Sequence, residues 1–230
     1  MDRADNALII GAGAGLSAAL ARKLAAAGWD VALAARDTAK LAGLAAETRG
    51  SLHACDAADV PGVAALFADL EAAGRAPSLL VYNPSFRVRG PITELDPEEV
   101  RRTLEVCAFG AFLAAQQAAR RMLAAGRGSI FFTGASAGVK GFPQSAPFAM
   151  GKFALRGLAE SLARELHPRN IHVCHFVIDG GIASSRRVAA PGSDSLLDPN
   201  AIADSYLHVL AQPRSAWSSE IALRPWVETF

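Results

Sequence analysis

One-sided charge is what this chain most plainly lacks. Its 230 residues carry 23 Lys and Arg against 22 Asp and Glu, a formal net charge of +1 at neutral pH, and no block of lysines or arginines occurs. That removes the electrostatic footprint of a nucleic-acid binder, and nothing basic points to a membrane surface. Cysteine is scarce as well. Cys55, Cys107 and Cys174 are scattered and odd in number, which argues against a disulfide framework and for a reducing compartment, each thiol being read as a small buried hydrophobe. No apolar run approaches membrane-spanning length. Met1 to Asn6 is short and charged and runs straight into an apolar strand, leaving no room for a signal peptide. A cytoplasmic protein is the expectation, with no nucleic-acid or membrane partner, and no metal ligand set is expected either.

What is present is apolar and periodic. An apolar content of 51% over this length fits one domain, residues 1–230, with ample material for a core. Short β-branched or apolar runs alternate with alanine-rich helical stretches, the pattern of repeated strand-helix-strand units around a parallel sheet. Strands are predicted at 7–10, 31–35, 52–54, 79–82, 129–133, 172–178 and 221–223, and helices at 16–27, 38–48, 60–73, 97–125, 148–166 and 201–210. Asp96 before Pro97 and Asp198 before Pro199 mark helix starts, and His167 with Pro168 closes the helix from 148. The fold class is therefore α/β, a doubly wound parallel sheet of about seven strands between two helical layers. One irregular stretch, 183–197, is rich in Ser, Gly, Pro and Arg and reads as a functional flap. Its Arg186 and Arg187 are either solvated or partners for an anionic substrate group.

Chemistry enters first at GAGAGLS, Gly11 to Ser17, which follows the first strand and opens the first helix. Gly11, Gly13 and Gly15 permit a tight turn and close approach of backbone amides to a pyrophosphate, and the helix N-terminus beginning at Leu16 favours its negative charge. At the end of the second strand the chain reads Ala34, Ala35, Arg36, Asp37. A carboxylate there would hold both ribose hydroxyls of NAD, whereas a neutral residue followed by arginine accommodates the 2′-phosphate of NADP. Arg36 reads as that phosphate ligand or as a solvated arginine, and Asp37 suits a helix cap before Thr38. NADP(H) is favoured over NAD(H). Further along, FAMGK places Phe148 and Lys152 four residues apart on one helix face.

Together these motifs make the chain resemble a classical short-chain dehydrogenase/reductase, a Rossmann-fold family, over nearly its whole length. The family's phosphate loop is matched at Gly11 and Gly15, with Ile10 in place of its threonine and Ser17 in place of its last glycine. The resemblance makes Asp56 an adenine-contacting acid, with helix capping near Val60 as the other reading. It also makes Asn83 a survivor of the family's Asn-Asn-Ala-Gly, here Tyr82, Asn83, Pro84, Ser85, and it puts Ile182 and Ser184 on the nicotinamide carboxamide, with Asp179 where the family has proline.

By the same resemblance Lys152 binds the nicotinamide ribose, and Phe148 stands where the family has its proton-donating tyrosine. The family serine lands on Ala135, with Ser136 one residue later. Cys107 falls at the family asparagine and also reads as a small buried helix residue. Phe148 likewise reads as a core aromatic, on the spacing of Leu155, Leu158 and Leu162. Loss of a positioned general acid costs on the order of 10² to 10⁴ in rate while hydride proximity survives, so Ser136, Ser145 or Tyr82 become candidate donors. The expectation is an NADP(H)-dependent oxidoreductase acting on a small carbonyl, imine or activated alkene with a non-standard proton donor. The alternative is a catalytically inactive NADP(H)-binding sensor or scaffold. The resemblance also implies a homodimer or homotetramer built on the helices around 103–125, where Gly110 permits close approach, and 148–166.

Overall fold

The computed structural model describes residues 5–185, 187–190 and 192–228. Seven strands, β1 (Asn6–Ile10), β2 (Asp30–Ala35), β3 (Ser51–Ala54), β4 (Leu79–Tyr82), β5 (Gly128–Thr133), β6 (Ile171–Ile178) and β7 (Glu220–Leu223), form one sheet in the order β3-β2-β1-β4-β5-β6-β7. Every pairing is parallel. Strand order reverses between β1 and β4, so the carboxyl ends of those strands open a crevice there.

The central strands are near-continuous apolar runs because both faces are covered. On β1, Leu8 and Ile10 point into a core shared with α3 (Val60–Ala72), α5 (Gly110–Ala125) and α6 (Ala146–Leu166). Ala7 and Ile9, on the opposite face by strand alternation, pack with α1 (Leu16–Ala26), α2 (Ala42–Thr48) and α7 (Pro199–Leu210). At about 1.5–3 kcal/mol for each large apolar side chain buried, these two layers dominate the stability.

Asp96 opens α4 (Pro97–Leu104) by accepting from the Glu98 amide, and Asp198 opens α7 in the same way through Asn200. Helix α3 is capped by Asp59, which accepts from the Gly62 amide. Asp56 is not its cap: that carboxylate accepts from the Ala58 amide, in the turn before the helix. The segment predicted as a helix from 38 begins with a 3₁₀ turn, Ala39–Leu41, under the Asp37 carboxylate, which accepts from the Ala39 amide.

The largest departure is in the stretch 97–125, where a π turn, Glu105–Phe109, separates α4 from α5. Alanine-rich periodicity conceals such a turn because one inserted residue leaves both flanking helices intact. Gly110, at its end, serves the inside of the molecule. A Cβ there would stand 2.4 Å from the Ala57 carbonyl oxygen and 2.5 Å from the Tyr82 hydroxyl.

Candidate functional site

The phosphate loop is shaped by one strained position and left open at two others. Gly11 has φ +78°, and a Cβ on it would lie 2.5 Å from the Pro84 nitrogen, so the β1 exit and the β4 exit touch through backbone alone. Gly13 and Gly15 face open space. Leu16 buries its side chain at the start of α1, leaving its main chain at the turn. No side chain caps the helix, and its first turn holds no acid. Unfilled amides beside two side-chain-free positions fit a bound pyrophosphate. Ser17 does more than pack closely: its hydroxyl donates to the Gly11 carbonyl at 3.2 Å and accepts from Asn83 Nδ2 at 2.7 Å. Asn83 is thereby drawn into holding the loop together.

Gly11, Arg36, Asp56 and Asn83 line one cavity of about 430 Å³ with Lys40 and Asp37. Arg36 is exposed and sits directly past the end of β2. Asp37, the next residue along the chain, is engaged by the Lys40 ammonium at 2.7 Å, which holds its carboxyl below the usual range. The positive charge of Arg36 therefore stands in this cavity beside an acid already paired.

A second cavity, about 230 Å³, lies at the exits of β4, β5 and β6, with Ser136, Ser145 and Phe148 in its lining. Ser136 opens a short 3₁₀ turn after β5, and Ala135 shares the cavity with it. Lys152 lines neither cavity. It is buried one turn along α6 from Phe148, and its ammonium donates to the Thr133 carbonyl at 2.8 Å. Burial pushes its pKa down from the ordinary lysine value. An ammonium has three donors, and Thr133 is its one hydrogen-bond acceptor among the described residues. That spare capacity fits a hydroxyl-bearing ligand such as a nucleotide ribose. Phe148 keeps contact with the lysine, 5.8 Å from its ring centroid, and with Arg87, 5.2 Å away, an arrangement attractive to both cations.

Cys107 is buried in the π turn, and its thiol donates to the Phe86 carbonyl at 3.5 Å. Gly151 gives it room, since a Cβ there would meet the Cys107 Cβ at 2.8 Å. Its position ties the turn to α6 and to the segment after β4. Ile182 bridges to Leu197 across the base of the flap, and Ser184 is exposed in a turn closed by paired backbone bonds with Arg187. Arg186 lies outside the described residues.

Two proton-donor candidates separate sharply. Tyr82 points inward: its hydroxyl donates to the Val106 carbonyl at 2.6 Å, and burial pushes its pKa well up, so it is no donor for this site. Ser145, by contrast, lines the smaller cavity, and its buried hydroxyl has no hydrogen-bond partner among the described residues.

Sequence reasoning missed one pair of residues here and the partners of a third. Arg87 and Arg89 line the smaller cavity. Their signal was FRVRG immediately after the β4 exit, where ligands gather in such sheets. Asp179, at the β6 exit, is buried and paired with Arg224 at 3.1 Å and Lys140 at 3.8 Å. It locks the loop after β5 to the segment after β7.

A doubly wound parallel sheet with a glycine loop at its switch point and a buried helical lysine beside a second cavity defines the dinucleotide-dependent class of enzymes. The short-chain dehydrogenase family model matches residues 5–189. Trans-4-hydroxycyclohexanecarboxylate dehydrogenase of Sinomonas cyclohexanicum is 35% identical over 180 residues, 73% of this chain and 68% of that protein. The crystal structure of a short-chain dehydrogenase from Rhodopseudomonas palustris superposes with a TM-score of 0.85 at 36% identity, covering 97% of this chain and all of that one. A metagenomic short-chain oxidoreductase in complex with NADP gives 0.83 at 30% identity, covering 97% and 98%. The chain belongs to the short-chain dehydrogenase family, whose members are oxidoreductases binding a nicotinamide cofactor.

Proposed function

We propose that the protein is an NADP(H)-dependent oxidoreductase acting on a small carbonyl, imine or activated alkene, with a proton source other than the residue at 148. The observation that carries this reading is Lys152, buried with spare donors, one helical turn from an aromatic that lacks a hydroxyl. A bound nicotinamide supplies or accepts the hydride. Gly11, Gly13, Gly15 and Leu16 hold its pyrophosphate through backbone amides. Arg36 selects the 2′-phosphate. Asp56 and Asn83 border the adenosine half, and Ile182 and Ser184 border the carboxamide. Lys152 orients the ribose. Cys107 keeps the π turn seated against Phe86, and Ser136 orients the substrate's polar atom.

Without a hydroxyl at 148, proton delivery falls to Ser136, Ser145 or water, or is dispensed with where the accepting carbon is activated. The test is NADPH oxidation against ketones, imines and enones, beside Phe148→Tyr. Restoring a positioned acid should raise ketone reduction on the order of 10²-fold. The missing hydroxyl itself favours a second reading, a nucleotide-binding sensor or scaffold that no longer turns over. Tight NADPH binding with no oxidation by any substrate class, in the protein and the variant alike, would select it.

Three free, buried cysteines suit the cytoplasm. Exposed Phe109 and Phe112 beside α5, and Met150 and Phe153 on α6, suit a homodimer or homotetramer, for which light scattering is the check.

A further inference from the structure

The smaller cavity is lined by three cations from two separate parts of the chain. Arg87 and Arg89 follow β4, Arg187 lies in the flap after β6, and Ser136 and Phe148 complete the wall between them. Among the described residues, none of the three arginines has a carboxylate partner. The nearby acid at the β6 exit, Asp179, is already taken by Arg224 and Lys140. Arg87 is further constrained by the Phe148 ring, whose centroid lies 5.2 Å from its guanidinium carbon. Burial and the charges of Arg89 and Arg187 push the Arg87 pKa down, which places three like charges within electrostatic reach around one space. Such a group is self-repulsive until an anion enters, and guanidinium forks suit oxyanions bidentately.

We propose that Arg87, Arg89 and Arg187 form the recognition site for an oxyanion, carboxylate or phosphate, carried by the substrate. The proposal rests on the hydride-transfer reading only for the word substrate; the anion site itself needs no turnover. At about 230 Å³ the cavity is smaller than the 300–1,000 Å³ of sites for drug-sized ligands, so the anion belongs to a small molecule. It also gives Phe148 a part that a hydroxyl is not needed for, as the apolar platform beneath Arg87.

The test pairs anionic with neutral probes on the NADP-loaded protein. One arm is levulinate against 2-pentanone for a carboxylate, the other dihydroxyacetone phosphate against dihydroxyacetone for a phosphate. Binding is followed by ligand-observed NMR and turnover by NADPH oxidation. One anionic probe is expected to bind at least tenfold more tightly than its neutral partner. Arg87→Gln and Arg187→Gln should each shrink that preference about tenfold, the scale of one charge-assisted hydrogen bond. Retained NADPH fluorescence quenching reports that each variant is folded. Equal binding of anionic and neutral probes, or a preference untouched by both substitutions, overturns the proposal. Arginine-dependent anion binding with no NADPH oxidation upholds the site and sinks the hydride reading. Oxidation of NADPH by neutral probes alone does the reverse.

Discussion

The two ends of the cleft are built on opposite principles. At the β1–β4 switch point the glycine loop presents backbone and small side chains: Gly11 meets Pro84 main chain to main chain, and Gly13 and Gly15 leave open space before an uncapped helix. At the exits of β4, β5 and β6 the wall is side chains, with three guanidinium groups, two serines and two phenyl rings. Backbone amides recognise a phosphate group common to many ligands, and at Gly11 the strand exits leave no room for a Cβ. Side chains recognise one substrate and are free to differ between proteins of one fold. On the proposed reading, the cofactor end keeps Gly11 and Gly15 of the family pattern, while the proton-handling end would depart from it at Phe148, Cys107 and Ala135 together.

Four experiments are expected to break or sharpen that contrast, from the largest effect downward. Gly11→Val combines a positive φ with a clash against Pro84. It should cost about 3 kcal/mol or more, a fall in melting temperature of roughly 6–12 °C, and remove NADPH binding as measured by fluorescence quenching. An unchanged melting curve would mean that the two strand exits are not in backbone contact.

Lys152→Met should lower NADPH turnover on the order of 10²-fold through lost positioning, yet leave the fold as stable or more so. The sign follows from burial. With the folded pKa below the ordinary 10.5, the unfolded chain binds more protons just below pH 10.5, so the wild-type fold gains stability as pH rises through that window. The methionine variant carries no buried ammonium, and its denaturation midpoint should be flatter there. A fall in stability at pH 7 with no loss of turnover would remove Lys152 from the site.

Arg36→Ala should weaken NADPH binding about tenfold, the scale of one charge-assisted contact, and leave NADH affinity nearly unchanged. Equal losses for both cofactors would assign Arg36 to general electrostatics. The smallest effect is on the thiols. Burial raises Cys55 to about 11 and Cys174 to about 12, so iodoacetamide should label the native protein slowly until the pH nears 11. Rapid labelling of either at pH 8, followed by mass spectrometry, would contradict the burial.

Much of the fold was legible because its signals are local. The central strands are apolar on both faces, most boundaries carry a Gly, Pro or Asp, and all seven strand positions read from the chain lie inside the observed elements. The phosphate loop was legible for the same reason, being seven consecutive residues. The π turn at Glu105–Phe109 was not, because it leaves no compositional trace. Tyr82 was misread as a candidate donor because alternation assigns a side chain to a face but not to what lies beneath it. Only packing against the Val106 carbonyl and the bare Gly110 reveals that it points inward.

By itself the sequence determined the strand-helix alternation, the glycine turn at the first strand, and a lysine one helical turn beyond an aromatic without a hydroxyl. Those are relations between residues a few positions apart, where chain geometry leaves little choice. Tertiary structure alone decided that Arg87 and Arg89, about a hundred residues before Arg187, share its cavity over Phe148. Parallel strands bring their carboxyl ends to one edge whatever lies between them in sequence, and it is at that edge that distant charges meet.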